Sequence, residues 1–395
     1  MENKEPKNEP NTQESGDKKP RKKRALFRRI LPLAAVLFVV STIAVLSAME
    51  DGDHFTALRR YLKYGDSART QDLYTYASHQ SNHFEPLGEE LLVVNPQSIQ
   101  VLHRDGPAIY ELQVSMTAPV VSVGTELAAV CDVQSSTVYV LSDTGLRWTH
   151  RNADGLLSYS ARMSSNDYLA ITEQKTGYKA SVSVYDNHGT LIFRFDSHDH
   201  YLSDAVVTED GKHLIVLALG ESSGSFASTV IVYDLATANR LGAYPLLNGI
   251  ALDLSVTEDS VVMLCDNRLS IVSVTGQTRL NYEYGEEYLH DYALTGGNFC
   301  ALLLGRYRSS NLCTLITFDS NGTQLATLEL AEEVLDMNAA GDRLAVLLSD
   351  TLILYDRELN EIARLEGTEH AGSVRMNKDG TALLINETSA RRFLP

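Results

Sequence analysis

One phrase recurs along this chain and restricts its fold more than any other feature: an apolar strand, a turn of Asp, Asn or Gly, then a second strand. Clear copies are VYDNHGTLIFRF (184–195), VYDLATANRLGAY (232–244), TFDSNGTQLATL (317–328) and LYDRELNEIARL (354–365). Looser copies are VLHRDGPAIYEL (101–112), VLSDTGLRWTH (140–150) and VSVTGQTRLNY (272–282). Taking the residue before the first polar turn position as marker, Leu102, Leu141, Tyr185, Tyr233, Val272, Phe318 and Tyr355 succeed one another at intervals of 39, 44, 48, 39, 46 and 37 residues. Upstream of the markers, stretches such as AVVTEDGKHLIVLAL and MNAAGDRLAVLL each give a strand, a tight turn and a very apolar strand. Four short strands in a unit of about 42 residues make one blade of a β-propeller, whose sheet buries both faces only against neighbouring blades.

The ends set the blade count. Seven markers give seven blades, the first being NHFEPLGEELLVVNPQSIQVLHRDGPAIYELQV. After the seventh, GSVRMNKDGTALLINETSARRFL holds three further strands. A fourth is available at the other end, LYTYAS at 73–78, and its exchange would close the ring and remove exposed sheet edges. The expected fold is therefore all-β, an eight-bladed propeller of four-stranded blades over residues 73–395; seven blades with a stray flap is the alternative.

Ahead of the repeats, Ile30 to Met49 is a stretch of 20 residues without charge, long enough for a transmembrane helix. Lys18, Lys19, Arg21, Lys22, Lys23, Arg24, Arg28 and Arg29 precede it, and Glu50, Asp51 and Asp53 follow. By the positive-inside rule the N-terminus is cytoplasmic and the large body extracytoplasmic. The apolar stretch is longer than the core of a signal peptide and ends without a small-x-small cleavage site, so it reads as a retained anchor. Residues 1–29 are polar and charge-rich and read as a disordered tail whose basic end meets anionic lipid. Residues 50–72, with Phe55, Leu58 and Leu62 at helical spacing, read as a linker helix.

Charge narrows the partners. Residues 1–29 balance at +5, from ten Lys/Arg against five Asp/Glu, while the remainder, with 24 against 46, balances at −22. Such a body disfavours nucleic acid, which needs a basic surface, and favours cationic partners such as metal ions or basic peptides. Cys131, Cys265, Cys300 and Cys313 each sit in an apolar run and read as buried thiols; a Cys300–Cys313 bridge is the alternative on neighbouring strands.

The repeat resembles WD-repeat and quinoprotein-type propellers. The whole plan, over about residues 30–395, is similar to an uncharacterised family of bacterial single-pass membrane proteins with extracytoplasmic propeller domains. Departures limit what the resemblance implies. Neither the Gly-His nor the Trp-Asp pair of WD repeats recurs, and only Trp148 in DTGLRWTH occupies the tryptophan position of quinoprotein repeats, so no quinone and no other cofactor is expected.

Chemical motifs are sparse. There is no G-x-S-x-G and no H-E-x-x-H. The stretch LALGESSGSFAS (217–228) lacks the lysine of a phosphate cradle and reads as a long inter-strand loop, and Asn321-Gly322 reads as a hairpin turn. Alignment of the first strand of each blade places Asp204, Asp253, Asp291 and Asp336 at one position in four successive blades, with Ser160 and Ser373 on either side. First strands line a propeller's channel, so these carboxylates are candidates for binding a cation through oxygen, or for structural hydrogen bonds to backbone amides. His198, His200 and His290 precede two of those strands and could join a metal site. Loops between second and third strands reach the same face and offer Tyr178, Phe226, Arg306, Tyr307 and Arg308 as candidate partner-binding residues. The sequence thus points to a tethered, non-catalytic binding module, in contact with a lipid bilayer and with a protein or peptide partner. A metal-dependent hydrolase or lyase using the four aspartates is the alternative, and an envelope-assembly scaffold a third reading.

Overall fold

The structure is a computed structural model that describes residues 70–395, apart from 105, 134, 153–154, 223–224, 247–248 and 310. The tail, the apolar run 30–49 and the linker up to residue 69 lie outside the described residues. Among those described, no helix is long and apolar enough to cross a membrane.

The described residues form 32 strands in eight four-stranded antiparallel sheets. Seven blades are built from consecutive strands, over 83–113, 119–151, 158–197, 201–246, 251–283, 288–330 and 334–366. The eighth takes its first three strands from 373–393 and its outermost from Thr70–Thr75, which pairs with Ser389–Phe393. The closing strand begins three residues before the expected boundary, because Thr70 and Gln71 already pair with Phe393 and Arg392. Tyr74, 1% exposed, anchors the closure by donating its hydroxyl to the Glu89 carbonyl of the first blade at 2.6 Å.

The blades hold together through eight apolar clusters, each bridging two neighbours. Second strands are buried on both sides, so alternate side chains serve alternate interfaces. Leu302 and Leu304 pack with Leu264 and Ile271 of the fifth blade, whereas Ala301 and Leu303 pack with Leu344 and Val346 of the seventh. The closing interface sets Tyr74 and Leu383 against Leu91 and Val93.

The recurrent Tyr/Phe-Asp phrase has a local cause. Asp186, Asp319 and Asp356 accept backbone amides of their own turns, as in Thr190 to Asp186 at 2.8 Å and Thr323 to Asp319 at 2.7 Å. Gly189 and Gly322 in these turns, and Gly276 in the Ser273-led turn at the same place in the fifth blade, have φ of 80°, 86° and 84°. Their missing side chains admit Trp148, Leu280 and Tyr244 from the fourth strand of the preceding blade. Asn321-Gly322 is such a turn.

One expected loop is largely strand. In the fourth blade, His213–Ser222 and Ser225–Asp234 pair out to Ser222 and Ser225, beyond the last pairs of the flanking strands, Tyr201 with Leu219 and Ser228 with Leu246. The apolar, β-branched strands below carry their ladder through the Gly/Ser stretch, which therefore forms a projecting hairpin rather than a long loop.

All four cysteines are free and buried. Burial pushes the thiols of Cys131 and Cys265 up to about 11 and that of Cys300 to about 12, which leaves them as poor nucleophiles.

Candidate functional site

Connections between second and third strands, and from each fourth strand to the next blade, emerge on one face of the ring, here the loop face. The tight turns within blades lie on the other. Residues of all eight blades, from Glu85 in the first to Lys378 in the eighth, line a central cavity of about 500 Å³. A second cavity of about 350 Å³ is lined by Val120, Val133, Ser160, Arg162, Asp204, Leu252 and Asp253, among others.

The four aspartates owe their shared position to an irregularity. In the third to seventh blades the pairing of first and second strands shifts by one residue, skipping Tyr159, Ser203, Leu252, His290 and Leu335. A bulge of this kind re-aims the side chains around it. Directly after it stand Ser160, Asp204, Asp253, Asp291 and Asp336. Asp204, Asp253 and Asp291 each accept the amide of the following residue, at 2.9, 2.8 and 2.7 Å.

Their remaining partners join blade to blade. Arg162 donates from Nε to Asp204 Oδ2 at 2.8 Å and from its terminal nitrogen to Asp253, so one guanidinium ties the third, fourth and fifth blades. The Ser160 hydroxyl also donates to Asp204. The Tyr292 hydroxyl donates to Asp253 Oδ2 at 3.1 Å, linking sixth to fifth. Asp336 accepts the Val374 amide at 2.8 Å and Arg375 at 2.9 Å, and Arg375 also donates to the Phe84 carbonyl at 3.1 Å and pairs with Glu85 at 3.4 Å. With the Met163 amide donating to Ser122 Oγ at 3.0 Å, a polar belt runs from the second blade round to the first.

Within this belt Asp291 lacks an ion-pair partner among the described residues. Burial pushes its carboxyl up to about 6, reinforced by the charge of Asp336 and opposed by amide donors of Tyr292 and Met337. Burial likewise raises Asp336 and Glu85 against the opposing pull of Arg375. Burial disfavours charge on Arg162 too, yet Asp204 and Asp253 outweigh it and hold the guanidinium above its ordinary value.

The four acids thus meet arginines and backbone amides, and among the described residues no three His, Cys, Asp or Glu side chains come together as a metal site. His290 is turned to the Tyr307 carbonyl at 2.8 Å, and the His198 ring lies 4.2 Å from that of Tyr178. Arg162, Arg375, Tyr292 and Glu85 were missed by reasoning on the sequence. The signal for the arginines is nevertheless there: the two blades with serine in place of aspartate read Ser160-Ala-Arg162 and Ser373-Val-Arg375.

The expected loop residues spread over the third, fourth and sixth blades. Lys175 lies over the Tyr178 ring at 5.1 Å, and Arg308 over Tyr288 at 5.4 Å. Tyr307 is 65% exposed. Phe226 has its backbone in the projecting hairpin, opposite Glu221; its side chain lies outside the described residues.

Eight closed blades and a polar belt define a β-propeller, a fold whose faces commonly mediate interactions. Solved structures agree on the fold. BamB from Moraxella catarrhalis has a TM-score of 0.52 and 11% identity, with 82% of this chain and 100% of that one covered. The C-terminal WD40 domain of Sif2 has a TM-score of 0.56 and 12% identity over 82% and 98%. The quinohemoprotein alcohol dehydrogenase ADHIIG from Pseudomonas putida HK5 has a TM-score of 0.52 and 9% identity over 82% and 76%. No curated protein matches the chain. The chain belongs to the Family of unknown function (DUF5711), whose pattern matches residues 60–392.

Proposed function

We propose that the protein is a membrane-tethered, extracytoplasmic binding or scaffolding module that engages a protein partner through the loop face of its propeller. One observation carries this reading: Tyr201, Leu252, Tyr288, Tyr307, Leu312 and Leu335 all stand well exposed on that face, while Ile109, Leu146, Leu191, Ile192, Leu241 and Ile362, exposed as well, are spread singly or in one pair over the outer strands of five blades. Aromatic and aliphatic side chains offered to water at strand ends and on the loops between them are the material of interface hot spots. The chain enters its first described strand at Thr70, which pairs with Phe393 at the turn face. The tether and the compartment rest on the uncharged run 30–49, the eight cations before it and the acidic body after it.

Two measurements test the reading. A reporter active only outside the cytoplasm, fused after Pro395, is expected to be active, and a cytoplasmic reporter at the same point silent; the reverse pattern overturns the placement. Replacing Tyr288 and Tyr307 by serine is expected to abolish capture of the partner from solubilised membranes while leaving thermal unfolding unchanged. Undiminished capture overturns the choice of face.

A further inference from the structure

We propose that the loop face takes a basic protein segment carrying an aliphatic anchor, seated at the channel mouth beside Leu252 and Leu335 and flanked by the acidic connections of the last three blades. This rests on the one-face reading above and names the chemistry of the partner.

The anchor site comes from the bulges. At the five skipped positions, three side chains are polar or aromatic with a hydroxyl, namely Tyr159, Ser203 and His290. The other two are leucines, Leu252 at 60% exposure and Leu335 at 42%. A leucine turned to water at a bulge contributes nothing to its own sheet, and the surface it offers is available to a partner. Leu252 borders the 350 Å³ cavity, together with Val120 at 45% exposure and Val133 at 39%. At the cavity's inner end the Arg162 guanidinium is already matched by Asp204 and Asp253, so an uncharged side chain entering there displaces no unpaired charge. The volume is at the lower end of ligand cavities and suits one or two aliphatic side chains.

The sign of the partner's charge comes from the surrounding connections. Glu286, Glu287, Glu332, Glu333, Glu369 and Glu387 stand in four connections, 284–287, 331–333, 367–372 and 386–388, that contain no lysine or arginine. None of the six forms an ion pair among the described residues. Among the described connections of this face, those of the third and sixth blades hold lysine or arginine, with Lys175, Lys179 and Arg308 over the rings of Tyr178, Tyr201 and Tyr288, and Arg391 reaches in from its strand to the Gly367 carbonyl at 3.0 Å. A segment with lysine or arginine on either side of a leucine or valine meets the glutamates with its charges while its apolar residue reaches the mouth. Acidic peptides, and anionic lipid headgroups, meet the same field unfavourably.

The test uses the full chain in detergent and a labelled twelve-residue peptide with four lysines and three leucines. Two counterparts carry serine for leucine and glutamate for lysine, and vesicles of phosphatidylglycerol serve as a further arm. Binding of the lysine–leucine peptide is expected, weaker by about tenfold or more for the serine counterpart and absent for the glutamate counterpart and the vesicles. Leu252→Ser with Leu335→Ser, and separately Glu332→Lys with Glu333→Lys, are each expected to lose about tenfold or more, with thermal unfolding unchanged. Ile362→Ser, on an outer strand, is expected to bind as wild type. Equal binding of the glutamate peptide, or wild-type affinity in the leucine pair, overturns the inference. A photo-crosslinker at Tyr307, compared with one at Asp342 on the turn face, separates this failure from that of the underlying reading. Crosslinking of a membrane-associated protein at Tyr307 with no binding of the lysine–leucine peptide overturns only the basic partner. Crosslinking at Asp342 alone overturns both.

Discussion

Replacing Asp291 by asparagine isolates a belt carboxylate that forms no ion pair among the described residues and feels Arg375 only from a distance. The asparagine side-chain oxygen still accepts the Tyr292 amide, which Asp291 receives at 2.7 Å, so the substitution removes the charge and keeps the shape. Burial moves the carboxyl from 3.8 to about 6, equivalent to about 3 kcal/mol against the folded state once the group is ionised. Asp291 retains some contact with water, so about 2 kcal/mol is the expected size. Its sign follows from which state releases the proton first. Well below 3.8 the group is protonated whether the chain is folded or not, and it contributes nothing. Between about pH 4 and pH 6 the unfolded chain ionises while the folded one still holds its proton, so stability falls as pH rises. Above pH 6 the cost is constant. Urea unfolding of both proteins from pH 4 to pH 8 gives the difference curve, in which groups common to both cancel. Asp291→Asn is expected to lie within about 0.5 kcal/mol of wild type at pH 4 and to exceed it by about 2 kcal/mol at pH 8. A flat difference, or an asparagine variant less stable at pH 8, refutes the account of Asp291 as a carboxylate held against its own ionisation.

Other residues of the belt and the blade interfaces give sharper losses. Arg162→Gln leaves Asp204 and Asp253 without their shared cation and is expected to cost about 2 kcal/mol by urea unfolding, less than for a fully buried pair because the arginine is 30% exposed; adding Asp253→Asn should restore part of it. Gly276→Ala, at φ 84° and with its new methyl driven into the Tyr244 ring, is expected to cost at least about 2 kcal/mol. Tyr74→Ala empties a site 1% exposed at the closure of the ring and is expected to cost about 3 kcal/mol, read as a lower thermal midpoint.

The sequence discloses the fold well because each blade repeats one physical problem, that of a twisted sheet needing cover on both faces. Spacing of Tyr185, Tyr233, Phe318 and Tyr355 marks third strands ending in an Asp-led turn, and the structure places an Asp-led turn after each of them. The exchanged strand was legible because 373–393 falls one strand short. The site was legible in part. Shared alignment of Asp204, Asp253, Asp291 and Asp336 reflects a bulge at one place in their blades, but a one-residue shift leaves no signature of its own in composition or periodicity. Nor does alignment reveal reach: Arg162 spans two blades to Asp253, a contact 91 residues apart in sequence that only the closed ring brings together.

Those bulges bear on how the two halves of the proposed role fit one molecule. Each bulge turns one residue toward the belt and leaves its neighbour at the skipped position. In the fifth and seventh blades the pairs are Leu252 with Asp253 and Leu335 with Asp336, so an exposed leucine sits directly beside a carboxylate tied across blades. The belt's fixed ion pairs limit how far the leucines can move, since shifting Leu252 strains the contact of Asp253 with Arg162. A partner pressing on the mouth therefore meets preformed apolar surface with little ordering left to do, which favours affinity. The arrangement yields a coupling that a merely adjacent patch would lack. Asp253→Asn, which leaves Leu252 itself unaltered, should weaken binding at the loop face along with the belt. If partner affinity in Asp253→Asn equals that of wild type while its stability falls, the belt serves the ring alone and the leucines owe their position to the backbone.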